Sequence, residues 1–561
     1  MEFIKRKSFT YTLQLLIVIA TAVLINLLVR HLLVRIDLTE ENKYSMSAAT
    51  KSLLEGLEDN VYVEIYLAGD INAEFKQLQT AVQQTLEQFE AYSRGKVSYK
   101  FVNPDAASSA NARNQFYNIL IDKGIKPTTV FDNVEGKRTQ KLIFPGAEMN
   151  YQGKSAPIML LNGNNSAGAK EAINQSIENL EYALAVNLKR LANGTQKSIA
   201  LIEGENKLPK NTLYGLERAL DSKFDLTDLS DLSKLNQFDA ALFIKSSTQF
   251  TNTELYDIDQ FIMNGGKTLF FIDGLAVSVD SIRDYGTMAL PTTHNLDELL
   301  FKYGVRVNNN VIQDVNSGNF PIVAGNLGNE AQIQLMPWPY YLILNNYANH
   351  PITKGLNAVY GKFISSIDTL AASGTKKTPL IFTSNYSRTL QGPVLINFES
   401  LKENMQPENF NQPNIPVAYL LEGPFNSAFA NRMAPQNRSS QQTKKQSADN
   451  KMIVVGDADI LLSTLDKKNN KPFPLGVDPY AKHPTPFGNE QLLLNMLNYL
   501  MDDDGLVIAK TKDFKIRPLD KIKVRESRLL IQLLNAALPV ILIILFGIGR
   551  YFWRRNKYAK F

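Results

Sequence analysis

Apolar positions recur along this chain in three patterns, and the longest pattern has no polar stripe at all. Tyr11 to Val29 carries no charge, and Leu529 to Phe546 is equally apolar, with Pro539 in its middle and Tyr551, Phe552 and Trp553 just beyond. At ~1.5 Å rise per residue a helix of either length covers the ~30 Å hydrocarbon core of a bilayer. A proline is tolerated in a membrane helix whose neighbours satisfy the freed carbonyl. The first run follows Lys5-Arg6-Lys7 and contains Ala20-Thr21-Ala22, the marks of a cleavable signal peptide, but its apolar character continues to Val29. That continuation favours an uncleaved anchor. The pattern therefore predicts one transmembrane helix at each end, 11–29 and 529–549.

The two other patterns, periods of two and of three to four, fill the space between. In 40–165 a helix capped by Ser45 or Ser47 carries Leu53, Leu54 and Leu57 on one face. Val61 to Leu67 and Val97 to Val102 read as strands, flanking a helix marked by Phe75, Leu78, Val82, Leu86 and Phe89. A helix from Asn111 to Lys123 and two or three strands between Thr129 and Leu161 follow. This β-α-β order resembles a thioredoxin-like fold, without cysteine in the loop Ala68–Asn72. Ala169 to Asn193 forms a long connecting helix (166–194). In 195–505 the strands Ser198–Ile202, Asp239–Ile244, Thr268–Asp273 and Lys451–Val455, apolar except at their end residues, alternate with helices, which predicts a parallel sheet covered on both faces. Residues 305–430 are β-rich and irregular, and the polar stretch 433–450 reads as a disordered loop. A helix from Asn489 to Met501 closes the domain.

Charge changes the picture. The net +5 of the 561 residues is +4 over 1–35 and +10 over 505–561, which leaves −9 for the body. An acidic body on basic ends argues against nucleic acid and for anionic membrane lipids at both ends. The basic segment 506–528 leads into the second span. Basic residues at 5–7 and 550–560 place 1–10 and 550–561 in the cytoplasm, and the long body outside it. The absence of cysteine excludes disulfides, thiolate metal sites and cysteine nucleophiles.

Candidate chemistry is sparse. Gly265-Gly266-Lys267-Thr268 lacks the first glycine of a phosphate loop, Phe261 standing in its place, and a helix precedes it with a strand after, the reverse of that motif's order. A nucleophile at a strand-to-helix elbow would be Ser246, Ser247 or Asp273, none in a G-x-S-x-G context and none with a histidine near in sequence. His350 and His483 each precede proline and read as loop fixtures. Asp457, Asp459 and Asp502–Asp504 offer oxygen ligands for a divalent cation, but the first pair suits a helix cap and the triplet a solvated helix end. Trp338, Tyr340 and Tyr341 are either an aromatic ligand or partner platform or a packed loop. Asn26 is a possible contact between helices within the membrane. No residue is assigned to catalysis, cofactor or metal.

Taken together, Asp37-Leu-Thr, Tyr44-Ser-Met-Ser, Thr50-Lys-Ser-Leu-Leu, Asp259 to Lys267, Val455-Gly-Asp-Ala-Asp459 and Gly488 to Tyr499 resemble GldG, a gliding-motility-associated component of an ABC transporter in Bacteroidetes. The resemblance implies a two-pass inner-membrane protein with a periplasmic body, acting with an ABC permease subunit (GldF) and an ATPase subunit (GldA). It also implies a central domain like the sheet of class I glutamine amidotransferases. The expected function is a non-enzymatic accessory subunit; the alternatives are a genuine solute-binding protein and a degenerate hydrolase.

Overall fold

The computed structural model describes residues 13–21, 23–24, 45–134, 137–161, 168–193, 196–203, 207–221, 223–245, 249–279, 282, 286–292, 294–327, 330–372, 374–397, 406–438, 443–466, 469–481, 485–511 and 527–558. The chain is mixed α/β and divides into two compact units, Met1–Lys512 and Asp513–Phe561.

Within the first unit, Val61–Ile65 pairs in parallel with Val97–Phe101 and antiparallel with Gly146–Tyr151, which pairs antiparallel with Lys154–Met159. Burial alternates along Val61–Ile65, so Val61, Val63 and Ile65 enter one core with Phe75, Leu78, Val82, Leu86 and Phe89 of the helix Ala73–Tyr92. Asn72 caps that helix through the Phe75 N–H. The helix Ala169–Ala192 contributes Ile173, Leu180, Leu184, Ala185 and Leu188 to the same core. It is thus a wall of the first domain as well as a connection. A separate hairpin, Thr128–Val134 with Lys137–Ile143, precedes the third strand.

The larger sheet has eight strands. Five run parallel in the spatial order Asp225–Asp228, Ser198–Ile202, Ala240–Ile244, Lys267–Phe271, Gln446–Val455. Pro416–Asn426, Lys376–Phe382 and Asn346–Tyr347 extend it antiparallel. Alternate residues feed two cores: Ile199, Leu201, Leu242 and Phe271 on one face, Ala200, Ile202, Phe243 and Phe270 on the other. The helices Lys210–Leu220 and Asn489–Leu500 cover the first face, and Asn252–Met263 with Asp297–Tyr303 the second. A capping box of Thr251 and Glu254 starts Asn252–Met263. Its end is the glycine pair: Gly265 has φ +100°, and a Cβ on Gly266 would lie 2.3 Å from the Phe261 ring.

Two sequence expectations change, and one unforeseen strand is added. The 433–450 loop is shorter, because Gln446–Val455 is one ten-residue strand. Ser447 and Asn450 look like loop residues but are buried and spent: Ser447 Oγ accepts the Phe425 N–H, and Asn450 Nδ2 donates to Ile262 O and Gly266 O. Arg438, before it, forks onto Asp257 at 2.8 and 2.9 Å. Asp225–Asp228, too polar to read as a strand, is the edge of the parallel set. At the C-terminus the helix runs unbroken from Arg528 to Tyr558 through Pro539, so it passes beyond residue 549. Of this, Gln532–Lys557 is long and apolar enough to cross a membrane, with a mean hydropathy of 2.1. In the first apolar run, residues 13–21, 23 and 24 are helical with exposed leucines; Asn26 lies outside the described residues.

Candidate functional site

In an open parallel sheet, ligands bind beyond the carboxyl ends of the strands, at the point where strand order reverses. The reversal here lies between Ser198–Ile202 and Ala240–Ile244. On one side of that reversal the bordering strand and the next two are followed by charged residues at their carboxyl ends: Lys245 after Ala240–Ile244, Asp273 after Lys267–Phe271, Asp457 and Asp459 after Gln446–Val455. Each strand ends in a run of buried apolar residues, so burial of those runs carries the charges to one edge.

Lys245 is the counter-ion of the group. Its φ of +44° is unusual for a residue with a side chain, and its N–H is held by Phe271 O at 3.0 Å. Nζ lies 3.0 Å from Asp459 Oδ1 and 3.4 Å from Asp273 Oδ2. Burial works against the Lys245 charge, but Asp459 and then Asp273 outweigh it and hold the ammonium pKa above that of free lysine. Burial raises the Asp273 carboxyl; Lys245 only partly offsets it. The Ala458 N–H donates to Asp273 Oδ1 at 2.7 Å.

Asp457 is wholly buried and faces the other way. Its Oδ1 accepts the Asp459 N–H at 2.7 Å and its Oδ2 the Lys362 N–H at 2.9 Å. A Cβ on Gly361 would come within 2.4 Å of Oδ2, so only glycine lets this strand approach so closely. Burial, reinforced by Asp459 and Asp273, pushes the Asp457 carboxyl well above its usual range. Lys362 stretches its ammonium over the Tyr341 and Tyr360 rings, at 5.3 and 5.9 Å, and burial lowers its pKa. The result is a polar knot: two cations, three carboxylates and several backbone N–H groups, binding the Val359–Lys362 strand to the sheet edge.

The knot is closed. Two hollows of about 420 and 330 Å³ open elsewhere, and neither is lined by Lys245, Asp273, Asp457 or Asp459. Among the described residues no group of His, Cys, Asp and Glu is arranged to hold a metal ion. With Lys245 against Asp273 and Asp459, the cation position is filled by an ammonium.

The structure disperses the other candidates. Ser246, Ser247 and His483 lie outside the described residues. His350 Nδ1 accepts the Ile352 N–H, and its ring packs on Tyr499 at 4.9 Å. Trp338, Tyr340 and Tyr341 are at most 2% exposed, inside a core with Phe320 and Phe363. Their rings pack against one another and against Phe320, Tyr360 and Phe363. Of Asp502–Asp504 only Asp502, 7% exposed, departs from a solvated helix end; Asp503 and Asp504 are 67% and 65% exposed. Asp502 accepts the Leu506 and Val507 N–H groups, Asp504 pairs with Lys189 at 2.7 Å, and Asp503 lies 3.8 Å from Lys197. They anchor a strap, Leu506–Thr511, that places Leu506 in the core of the first domain and Val507 and Ala509 against Tyr182. Sequence reasoning missed Lys245 and Lys362. Lys245 had one signal, a lone charge ending an apolar strand; Lys362 had none, since Asp457 lies 95 residues away.

A family model described as an ABC-type uncharacterized transport system matches residues 196–496, the stretch that carries this knot. The chain belongs to that family. An auxiliary role in an ABC-type transport system follows from the membership, and a candidate membrane helix near the C-terminus fits a membrane-associated protein. A model for a domain of unknown function matches residues 40–150, the smaller sheet. An uncharacterized protein of Borreliella burgdorferi is 24% identical over 543 residues, covering 93% of this chain and 94% of its own length. Among solved structures, the mmIFT52 N-terminal domain aligns over 54% of this chain and 97% of its own at 14% identity, with a TM-score of 0.29.

Proposed function

We propose that this chain is a non-enzymatic accessory subunit of an ABC transporter, held in the membrane by an apolar helix at each end. In this reading both termini are cytoplasmic, and the body lies on the far side, where it contacts a partner or the transported substrate. The partners are the permease and ATPase subunits, and the process that the GldG resemblance suggests is gliding motility. The smaller sheet is read as thioredoxin-like from its strand order, and the larger as amidotransferase-like.

One observation carries the non-enzymatic part. The edge where an α/β enzyme places its chemistry is occupied by carboxylates already committed to Lys245, to Ala458 N–H, to Lys362 N–H and to Asp459 N–H. A general base or nucleophile must be able to reach a substrate, and Asp457 has no exposed surface. The test is purification of the tagged full chain from native membranes into lipid nanodiscs. Permease and ATPase subunits are expected to accompany it in fixed ratio; recovery of the chain alone would contradict the reading.

A further inference from the structure

The hollow of about 420 Å³ lies on the same side of the larger sheet as the knot, and its floor is built rigidly. Ser365 N–H donates to Gly456 O, and Ser365 Oγ donates to Asn310 O and accepts the Gly274 N–H. A Cβ on Gly274 or Gly456 would meet these atoms within 2.7 Å, so two glycines allow the close approach. Next along, Ser366 Oγ accepts the amides of Asn308 and Asn310 at 2.9 and 2.8 Å. The floor therefore has its hydrogen bonds satisfied and its geometry fixed.

One wall is a strand edge. Ser387–Gln391 pairs on one side with Asn310–Asp314. In an antiparallel ladder, alternate residues turn their N–H and C=O outward, and the outward set here is Ser387, Thr389 and Gln391, since the Gly392 N–H bonds inward to Asn309 O. Gln412 occupies the start of this outward edge as a strand would. Its N–H donates to Ser387 O, and its side-chain Oε1 accepts the Thr389 N–H at 2.9 Å. Beyond that stand-in, Thr389 C=O and both main-chain groups of Gln391 face the hollow with no protein partner among the described residues.

We infer that the Thr389–Gln391 edge and the hollow beside it take up an extended, uncharged peptide segment of a partner protein by adding a strand to this edge. Ile415 and Pro416 offer an aliphatic shelf for its side chains, and the Gln391 amide flanks its main chain. The only charges in the lining among the described residues, Arg306 and Asp368, pair with each other at 2.9 Å, so the described hollow is electrically balanced and favours a neutral occupant. Among the described residues the lining contains no aromatic ring on which a sugar could stack. The inference concerns this edge alone and does not depend on the transporter role.

The test uses the full chain in nanodiscs, an acetylated and amidated Val-Thr-Val-Thr-Val peptide, the same peptide N-methylated at alternate residues, and maltotriose. The unmodified peptide should bind and slow hydrogen exchange across 387–391, and N-methylation should abolish both effects. Gln412→Ala frees the Thr389 N–H, so it should tighten binding about three- to tenfold, the worth of one added hydrogen bond. No peptide binding at millimolar concentration, binding indifferent to N-methylation, binding weakened by Gln412→Ala, or maltotriose binding in its place would each overturn the inference.

Discussion

The two edges of the larger sheet use the same residue types and reach opposite results. At the amino edge, Lys197 pairs with Asp239 at 3.1 Å and approaches Asp503 at 3.8 Å, with exposures of 43%, 36% and 67%. At the carboxyl edge, Lys245 pairs with Asp459 and Asp273, whose side chains are 21% and 12% exposed, beside a fully buried Asp457. The strands between the edges are nearly the same ones, so composition does not separate them. Water does. At the amino edge solvent screens the pairs, and each contributes little. At the carboxyl edge the Val359–Lys362 strand lies across the charges, and each group depends on the others to remain charged or satisfied. Lysine and aspartate are surface decoration at one end of these strands and a structural fastening at the other.

Substitutions at the two edges test that contrast. Asp457→Ala should have the largest effect, about 3–5 kcal/mol of lost stability, because it leaves the Lys362 and Asp459 N–H groups buried without acceptors; chemical denaturation of the lipid-embedded chain measures it. Lys245→Met should cost about 2 kcal/mol, less than a fully buried pair would, because Lys245 keeps a third of its surface in solvent. In the strap, Lys510 is the reverse case. Burial, with Lys354 adding, lowers its pKa from 10.5 to about 7, and its ammonium lies over the Tyr182 ring at 5.6 Å. Between those two values the unfolded chain binds a proton that the folded chain does not, so stability should rise with pH across about 7 to 10.5. Lys510→Met should flatten that rise and add ~1–2 kcal/mol at neutral pH. Lys197→Met, at the exposed edge, should change stability by less than about 1 kcal/mol.

The same contrast marks what could be read from the sequence. Ser198–Ile202, Ala240–Ile244 and Lys267–Phe271 were legible because strands buried on both faces are apolar throughout. The Asn252–Met263 helix was legible because its apolar period ends at Gly265. The polar fastenings were not. Asn310–Asp314 is buried at every position although three of its five residues are polar, and Asp314 is satisfied by Ser384, 70 residues away. Ser447, Asn450, Asp457 and Asp502 share that property: each looks solvated, and each finds its partner across the fold. Trp338, Tyr340 and Tyr341 show the converse, since large aromatics beside prolines suit an exposed platform and a packed core equally well. Local pattern reports the period of burial; it does not report which polar groups meet.

The account turns on the carboxyl edge being a fastening and not a reaction centre. Residues kept for chemistry commonly cost stability, so removing them leaves a protein unchanged or more stable, whereas removing one member of a satisfied buried network weakens it. The unfolding temperature of the Lys245→Met chain in nanodiscs separates the two. A fastening gives a clear fall relative to the unaltered protein; an unchanged or raised unfolding temperature would mean that the carboxyl edge is not one.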